Sequence, residues 1–168
     1  MDIIKAVLKL LSPKHYAKYC GVRMGQNVFW ATRYVPTEAY LIDIGDHTQI
    51  TEGVKLFTHG GGNVARYKYP DFDLFGKITI GEWSYIGTDS LIMPGVTVGN
   101  HVLVAAGSVV TKSIPDGCVV AGNPAKVICS VEDYIENNLK YNINSKKMNR
   151  KAKKSFLLNL DKSYFIVK

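Results

Sequence analysis

The sequence predicts a mainly β chain wound as a triangular parallel β-helix, and three observations predict it. Every sixth residue from 80 to 110 is aliphatic: Ile80, Ile86, Ile92, Val98, Val104 and Val110. Gly81, Gly87, Gly99 and Ala105 follow four of them directly. Ser84, Ser90, Val96, Val102 and Ser108 keep the same time, four residues after an aliphatic. A period of six fits neither a lone strand, which repeats every two residues, nor an amphipathic helix at 3.6. It fits short strands joined by tight corners, with one side chain in six pointing to a common axis. With three hexads per coil, Ile80 stacks on Val98, Ile86 on Val104 and Ile92 on Val110. Burying each such side chain contributes about 1.5–3 kcal/mol. The small residue after it leaves room where the chain turns.

Residues 1–21 read as a helical cap. Ile3, Ile4, Val7, Leu8 and Leu11 share one helical face, and Ser12-Pro13 ends that run. A second short helix carries Tyr16 and Tyr19 and stops at Gly21. Such helices would cover the open end of the coil. Lys5 and Lys9 also suit a membrane-surface helix, the less favoured reading. The coil spans residues 22–128. Hexad character starts at Val22 and Val28, breaks over residues 33–41, and resumes at Ile44, Ile50 and Leu56. It lapses again until Ile78 and Ile80. The stretch of about residues 60–77 opens with three glycines and carries Tyr67, Tyr69, Phe72, Leu74 and Phe75. Its aromatic content argues for an ordered loop thrown out from the prism. Past Val110, residues 114–117 form a turn, and residues 130–168 follow as a helix and a tail. Ser130 and Asp133 have capping-box spacing, and Val131, Tyr134, Ile135 and Leu139 make an apolar face expected to fold back on the prism. The apolar residues beyond Ser155 suit either a docked strand or a partner contact.

The net charge of +7 is a property of the tail. Residues 1–139 hold twelve Lys/Arg against thirteen Asp/Glu, whereas residues 140–154 hold seven basic residues and no acid. A nucleic-acid-binding body is therefore not expected, and a solvated, mobile tail is preferred to an anion-binding one. No run of eighteen apolar residues is present, and residues 1–11 lack the cleavage site of a signal peptide. Three cysteines, Cys20, Cys118 and Cys129, form neither a metal spacing nor an even disulfide set, which suits a reducing cytoplasm.

The segment IGEWSYIGTDSLIMPGVTVGNHVLVAAGSVVTKSIPDGCVVAGNPAKVI, residues 80–128, resembles the hexapeptide-repeat acyltransferases. It looks most like their sugar O-acetyltransferase branch, which includes maltose, galactoside, nodulation and capsule acetyltransferases. The hexads carry only the fold; VVTK and AGNPAK are more particular. The resemblance implies a left-handed coil, a homotrimer with active sites between subunits, and acetyl-CoA as donor.

Acetyl transfer to an alcohol needs a base to draw off the hydroxyl proton, and histidine is the commonest. Of the four histidines, His15 lies in the helical cap, and His47 and His101 occupy equivalent corners. His59 ends the coil segment and begins the long loop, where the resembling enzymes carry their catalytic histidine. Carried over in the same way, the donor would run past Thr88, Ala106 and Gly107. Thr111-Lys112 would meet its phosphate end, and the turn with Asn123, Pro124 and Lys126 would meet the adenine. The related enzymes often place an asparagine one coil before the histidine; Arg33 and Tyr34 stand in that stretch here. Trp30, Trp83 and Tyr85 suit an acceptor pocket or a trimer contact. The function expected is acetyl-CoA-dependent O-acetylation of a saccharide, for example a polysaccharide or capsule precursor. Serine or an antibiotic are alternative acceptors on the same mechanism, and a non-catalytic trimeric scaffold is the alternative of another class. A zinc site of three histidines is not expected, since only His101 lies beyond His59.

Overall fold

The computed structural model describes residues 3–167, which fall into two compact units, Met1–Val131 and Glu132–Lys168. In the first, helices α1 (Ile3–Leu11) and α2 (Pro13–Tyr19) precede strands β1 (Arg23–Met24), β2 (Phe29–Trp30), β3 (Ile42–Ile44), β4 (Gln49–Ile50) and β5 (Lys55–Leu56). A one-turn helix α3 (Asn63–Arg66) lies in the extruded loop. Then come β6 (Ile78–Ile80), β7 (Tyr85–Ile86), β8 (Leu91–Ile92), β9 (Thr97–Val98), β10 (Leu103–Val104), β11 (Val109–Val110), β12 (Cys118–Gly122) and β13 (Ala125–Ser130).

These strands form three sheets, each built from one strand per coil. Sheet A has the order β1-β3-β6-β9, sheet B β13-β12-β10-β7-β4-β2, and sheet C β11-β8-β5. All neighbours are parallel except the β12–β13 hairpin. From β3 to β11 successive strands visit A, B and C in turn, so the chain winds around three faces. The expected stacking is found: Ile80 pairs with Val98, Ile86 with Val104, and Ile92 with Val110. All six are buried in one continuous core. The residues four places on close the polar accounts between coils. Ser84 Oγ donates to the Gly99 carbonyl at 2.9 Å and Ser90 Oγ to that of Ala105 at 3.0 Å. A Cβ on Gly81 would stand 2.6 Å from the Gly99 carbonyl carbon, so only glycine lets these coils approach.

The first coil runs in a different frame from the one expected. Met24 pairs with Ile44 and Trp30 with Ile50, a spacing of twenty rather than eighteen. Val22 and Val28 are buried, but they flank the stacked positions instead of filling them. Trp30 is a core residue, its indole N–H donating to the Thr32 carbonyl at 2.8 Å, and not part of an acceptor pocket. The extruded loop does re-enter the coil at Ile78, and it is ordered. Arg66 Nε donates to the Phe72 carbonyl at 3.0 Å, and Arg66 pairs with Asp73.

At the N-terminus α2 packs on β2 and buries Ala17, while α1 packs on α2. Val7, Leu10 and Leu11 of α1 stay exposed, so covering the coil falls to α2. Met1 and the side chains of Ile3 and Ile4 lie outside the described residues. In the second unit the basic segment is not an irregular tail. After α4 (Val131–Leu139) comes α5 (Arg150–Leu158), whose N-terminal cap Asn149 accepts from the Ala152 amide at 2.9 Å. Residues after Ser155 continue α5 and then form a short turn, so no strand is found among the described residues there. Ser130 ends β13, and Ile135 and Leu139 of α4 are exposed rather than buried.

Candidate active site

Three edges join the three faces, and the polar residues singled out by sequence are distributed among them. The edge leading from sheet C to sheet A carries His59. It follows β5 by three residues, at the point where the loop leaves the coil, and it faces Phe75 across a bridge where the loop returns. In register on the same edge lie Met93-Pro94 after β8 and Thr111-Lys112 after β11. Main-chain bonds hold this stack: Phe57 N–H donates to the Ile92 carbonyl at 2.9 Å and Met93 N–H to that of Val110 at 3.0 Å.

His59 has a partner that the hexad pattern does not reveal. Its Nδ1 lies 2.5 Å from Glu38 Oε2, and the same oxygen accepts from Thr58 Oγ1 at 3.1 Å. An ionised carboxylate only accepts, so Nδ1 carries a proton, and in the neutral ring Nε2 keeps its lone pair. A hydrogen bond from Thr37, joined by those from His59 and Thr58, holds the Glu38 carboxyl below its ordinary range against a smaller opposing effect of burial. The carboxylate is more sheltered than the imidazole, with side-chain exposures of 18% and 45%. The pair is thus an imidazole with an open face and an anchored back. Glu38 belongs to the segment that interrupts the first hexads, next to the turn Ala39–Leu41. It is the sole acid between residues 3 and 42, which is the signal that marks it out.

His59 opens onto a cavity of about 630 Å³ whose other walls are Tyr34, Pro36, Phe57, Thr58, Gly60, Gly61, Met93 and Pro94. The Tyr34 and Phe57 rings meet at 5.6 Å. Burial, with the nearby Glu38 charge, raises the Tyr34 hydroxyl pKa. Of the two residues that stand where related enzymes often carry an asparagine, Tyr34 lines the His59 cavity. Arg33 lines a separate, smaller hollow with Tyr34, Glu52 and Lys55.

The edge from sheet B to sheet C carries Thr88, Ala106 and Gly107, with the Gly107 N–H donating to the Thr88 carbonyl at 2.8 Å. One coil further on, the β12–β13 hairpin turns through Asn123-Pro124, with Gly122 N–H bonded to Ser108 Oγ at 3.2 Å. Ala106 is exposed, and nothing stands within 4 Å of a Cβ built on Gly107. This edge is narrow and open, and a long ligand can lie against its backbone. Thr88, Ala106, Gly107, Asn123, Pro124 and Lys126 thus keep company, whereas Thr111-Lys112 stand on the His59 edge. A face of six residues separates the two edges, roughly 15–20 Å at 3.3 Å per residue. Trp83 and Tyr85 are elsewhere again. Trp83 stacks on His47 at 4.2 Å on the edge between sheets A and B, and Tyr85 lies on face B. Neither lines the His59 cavity. Of the other histidines, His15 bonds Ser12 and His101 sits at a corner with φ 52°.

Comparison with known proteins places this geometry in a family. The model of the bacterial transferase hexapeptide (six repeats) matches residues 77–112. The chain is 52% identical over 124 residues to Protein CapG of Staphylococcus aureus, spanning 73% of this chain and 72% of that one. It is 32% identical over 128 residues to the galactoside O-acetyltransferase of Escherichia coli, spanning 72% of this chain and 60% of that protein. A hexapeptide-repeat acetyltransferase of Vibrio cholerae O1 biovar eltor, solved with acetyl coenzyme A, shares the fold, with a TM-score of 0.52 at 23% identity over 75% of this chain and 84% of that one. Coil, repeat and relatives agree: the chain belongs to the hexapeptide-repeat acyltransferases.

Proposed function

We propose that the protein is an acetyl-CoA-dependent O-acetyltransferase acting on a saccharide hydroxyl, with His59 as general base. The observation that carries this reading is the Glu38–His59 pair at the mouth of the 630 Å³ cavity. Acetyl-CoA supplies an activated acetyl thioester. His59 Nε2 takes the proton of the acceptor hydroxyl as its oxygen bonds to the acetyl carbon, and returns that proton to the departing sulfur. Ester and free thiol are the products, and no net proton is left on the enzyme. Glu38 holds the ring and offsets the positive charge it gains while protonated. The open edge with Thr88, Ala106 and Gly107 fits a ligand as long as this donor. Asn123, Pro124 and Lys126 sit at the end of that edge and are assigned to its nucleotide.

The separation of the two edges supports a site shared between copies. In one subunit the base and the donor edge lie a prism face apart, so a neighbouring subunit of a homotrimer would bring its donor edge to His59. The left hand of the coil is part of the same proposal and follows the family. The saccharide acceptor is supported by the relation to the galactoside enzyme. The test is thiol release from acetyl-CoA with a panel of saccharides. Wild-type protein should turn over, and His59→Ala should lose roughly 10²–10⁴ in kcat while still binding acetyl-CoA. Full activity in that variant would overturn the assignment of the base.

A further inference from the structure

We infer that the acceptor sugar bears a methyl group, as a 6-deoxyhexose or an N-acetylated amino sugar does, and that Phe57, Met93 and Tyr34 receive it. This rests on the reading of His59 as the base for a saccharide hydroxyl.

The walls of the His59 cavity are unusual for a site that would hold a plain hexose. Tyr34, Pro36, Phe57, Met93 and Pro94 make most of them, and among the described residues of one subunit no Asp, Glu, Asn, Gln, Lys or Arg lines the cavity. Of its polar side chains only the Tyr34 hydroxyl is uncommitted. The buried Thr58 hydroxyl donates to Glu38, and His59 Nδ1 is held by the same carboxylate. His59 Nε2 is reserved for the reacting hydroxyl. A hexose pressed against this wall would bury more hydroxyls than the Tyr34 hydroxyl can pair, and each unpaired one is costly. A methyl group has no such demand and gains by burial.

The wall is also rigid. Phe57 and Met93 directly follow paired strands of sheet C, and their amides are bonded to the next coil. Tyr34 closes the side by its ring contact with Phe57. Discrimination by shape needs walls that do not give way. The ring hydroxyls of such a sugar would point to the open side, and its methyl into the wall.

Two pairs of acceptors test this at fixed ring stereochemistry. The first is D-fucose against D-galactose, which differ at carbon 6. The second is N-acetyl-D-galactosamine against D-galactose, which differ at carbon 2. Rates of acetyl transfer should give a kcat/KM higher by roughly ten- to a hundredfold for the methyl-bearing member of at least one pair, and that pair identifies the source of the methyl. Met93→Gln, close in size but polar, should shrink that ratio to within about threefold. Equal kcat/KM within both pairs, with saccharides still acetylated, overturns the inference and leaves the role of His59 standing. Failure to acetylate any of these sugars, in protein that binds acetyl-CoA, overturns the saccharide reading and this inference with it.

Discussion

Replacing Glu38 by glutamine tests the site most directly, because the change removes a charge and little else. In the wild type Glu38 Oε2 accepts from His59 Nδ1 at 2.5 Å and from Thr58 Oγ1 at 3.1 Å. A hydrogen bond to an ionised partner is worth about 1.5–3 kcal/mol, against about 1 for a neutral one. Losing the difference, about 0.5–2 kcal/mol, at the moment His59 becomes positive slows the reaction roughly 2–30-fold. A larger loss is expected if the new amide turns its NH₂ to Nδ1, since the imidazole proton then moves to Nε2 and the base is blocked. The assay is thiol release at saturating acetyl-CoA, with kcat and acceptor KM measured separately and the fold checked by thermal unfolding. The ¹⁵N resonances of the His59 ring report the tautomer, which a merely structural role of Glu38 would leave alone. The decisive control is Glu38→Gln in a His59→Ala background. A positioning residue acts through His59, so there the second change should cost almost nothing. If it costs as much as in the wild type, Glu38 does something else and the reasoning fails.

Three further outcomes follow from the geometry. The folded-state pKa of Glu38 lies below its unfolded value, so its contribution to stability is fully present above the ordinary carboxylate value of about 4.3 and is lost as pH falls through the folded value. Thermal midpoints of the wild type should therefore fall on acidification more steeply than those of Glu38→Gln. Gly81→Ala places a Cβ 2.6 Å from the Gly99 carbonyl carbon and 2.7 Å from Asn100 N, so the coils must part. It should destabilise by about 1–3 kcal/mol in urea unfolding, and an unchanged midpoint would refute the stacking argument. Finally, co-expressing His59→Ala with Gly107→Trp, each inactive alone, should restore activity at roughly a quarter of the sites of a randomly mixed trimer. No recovery in proven mixed trimers would place base and donor edge on one subunit.

Much of the fold is legible because a coil repeats its own local environment. Ile80, Ile86 and Ile92 each meet a partner eighteen residues on, so spacing alone names the contact. The same regularity explains where legibility ends. Two extra residues before Ile44 shift the frame of the first coil, which is why Trp30 is core and Val28 is not in its stacked column. Short, basic, aperiodic segments such as residues 140–158 have no pattern to read, and α5 emerges from its own cap.

The site divides in the same way. His59 stands out by its position at the break in the repeat, and the residues proposed to meet the donor by the resemblance of the segment that ends it. Glu38 does not, because it sits twenty-one residues earlier in an irregular segment and meets His59 only once the coils stack. Nor does the apolar wall, since Phe57, Met93 and Tyr34 come from three coils that spacing treats as separate. By itself the sequence determined the winding of the chain and the small-residue edges, both consequences of local order repeated, and the resemblance singled out the candidate base. Only the tertiary structure decided which carboxylate holds His59, what walls surround it, and that His59 and the edge with Thr88, Ala106 and Gly107 stand a face apart. Those depend on contacts between residues distant in the chain, which no period encodes.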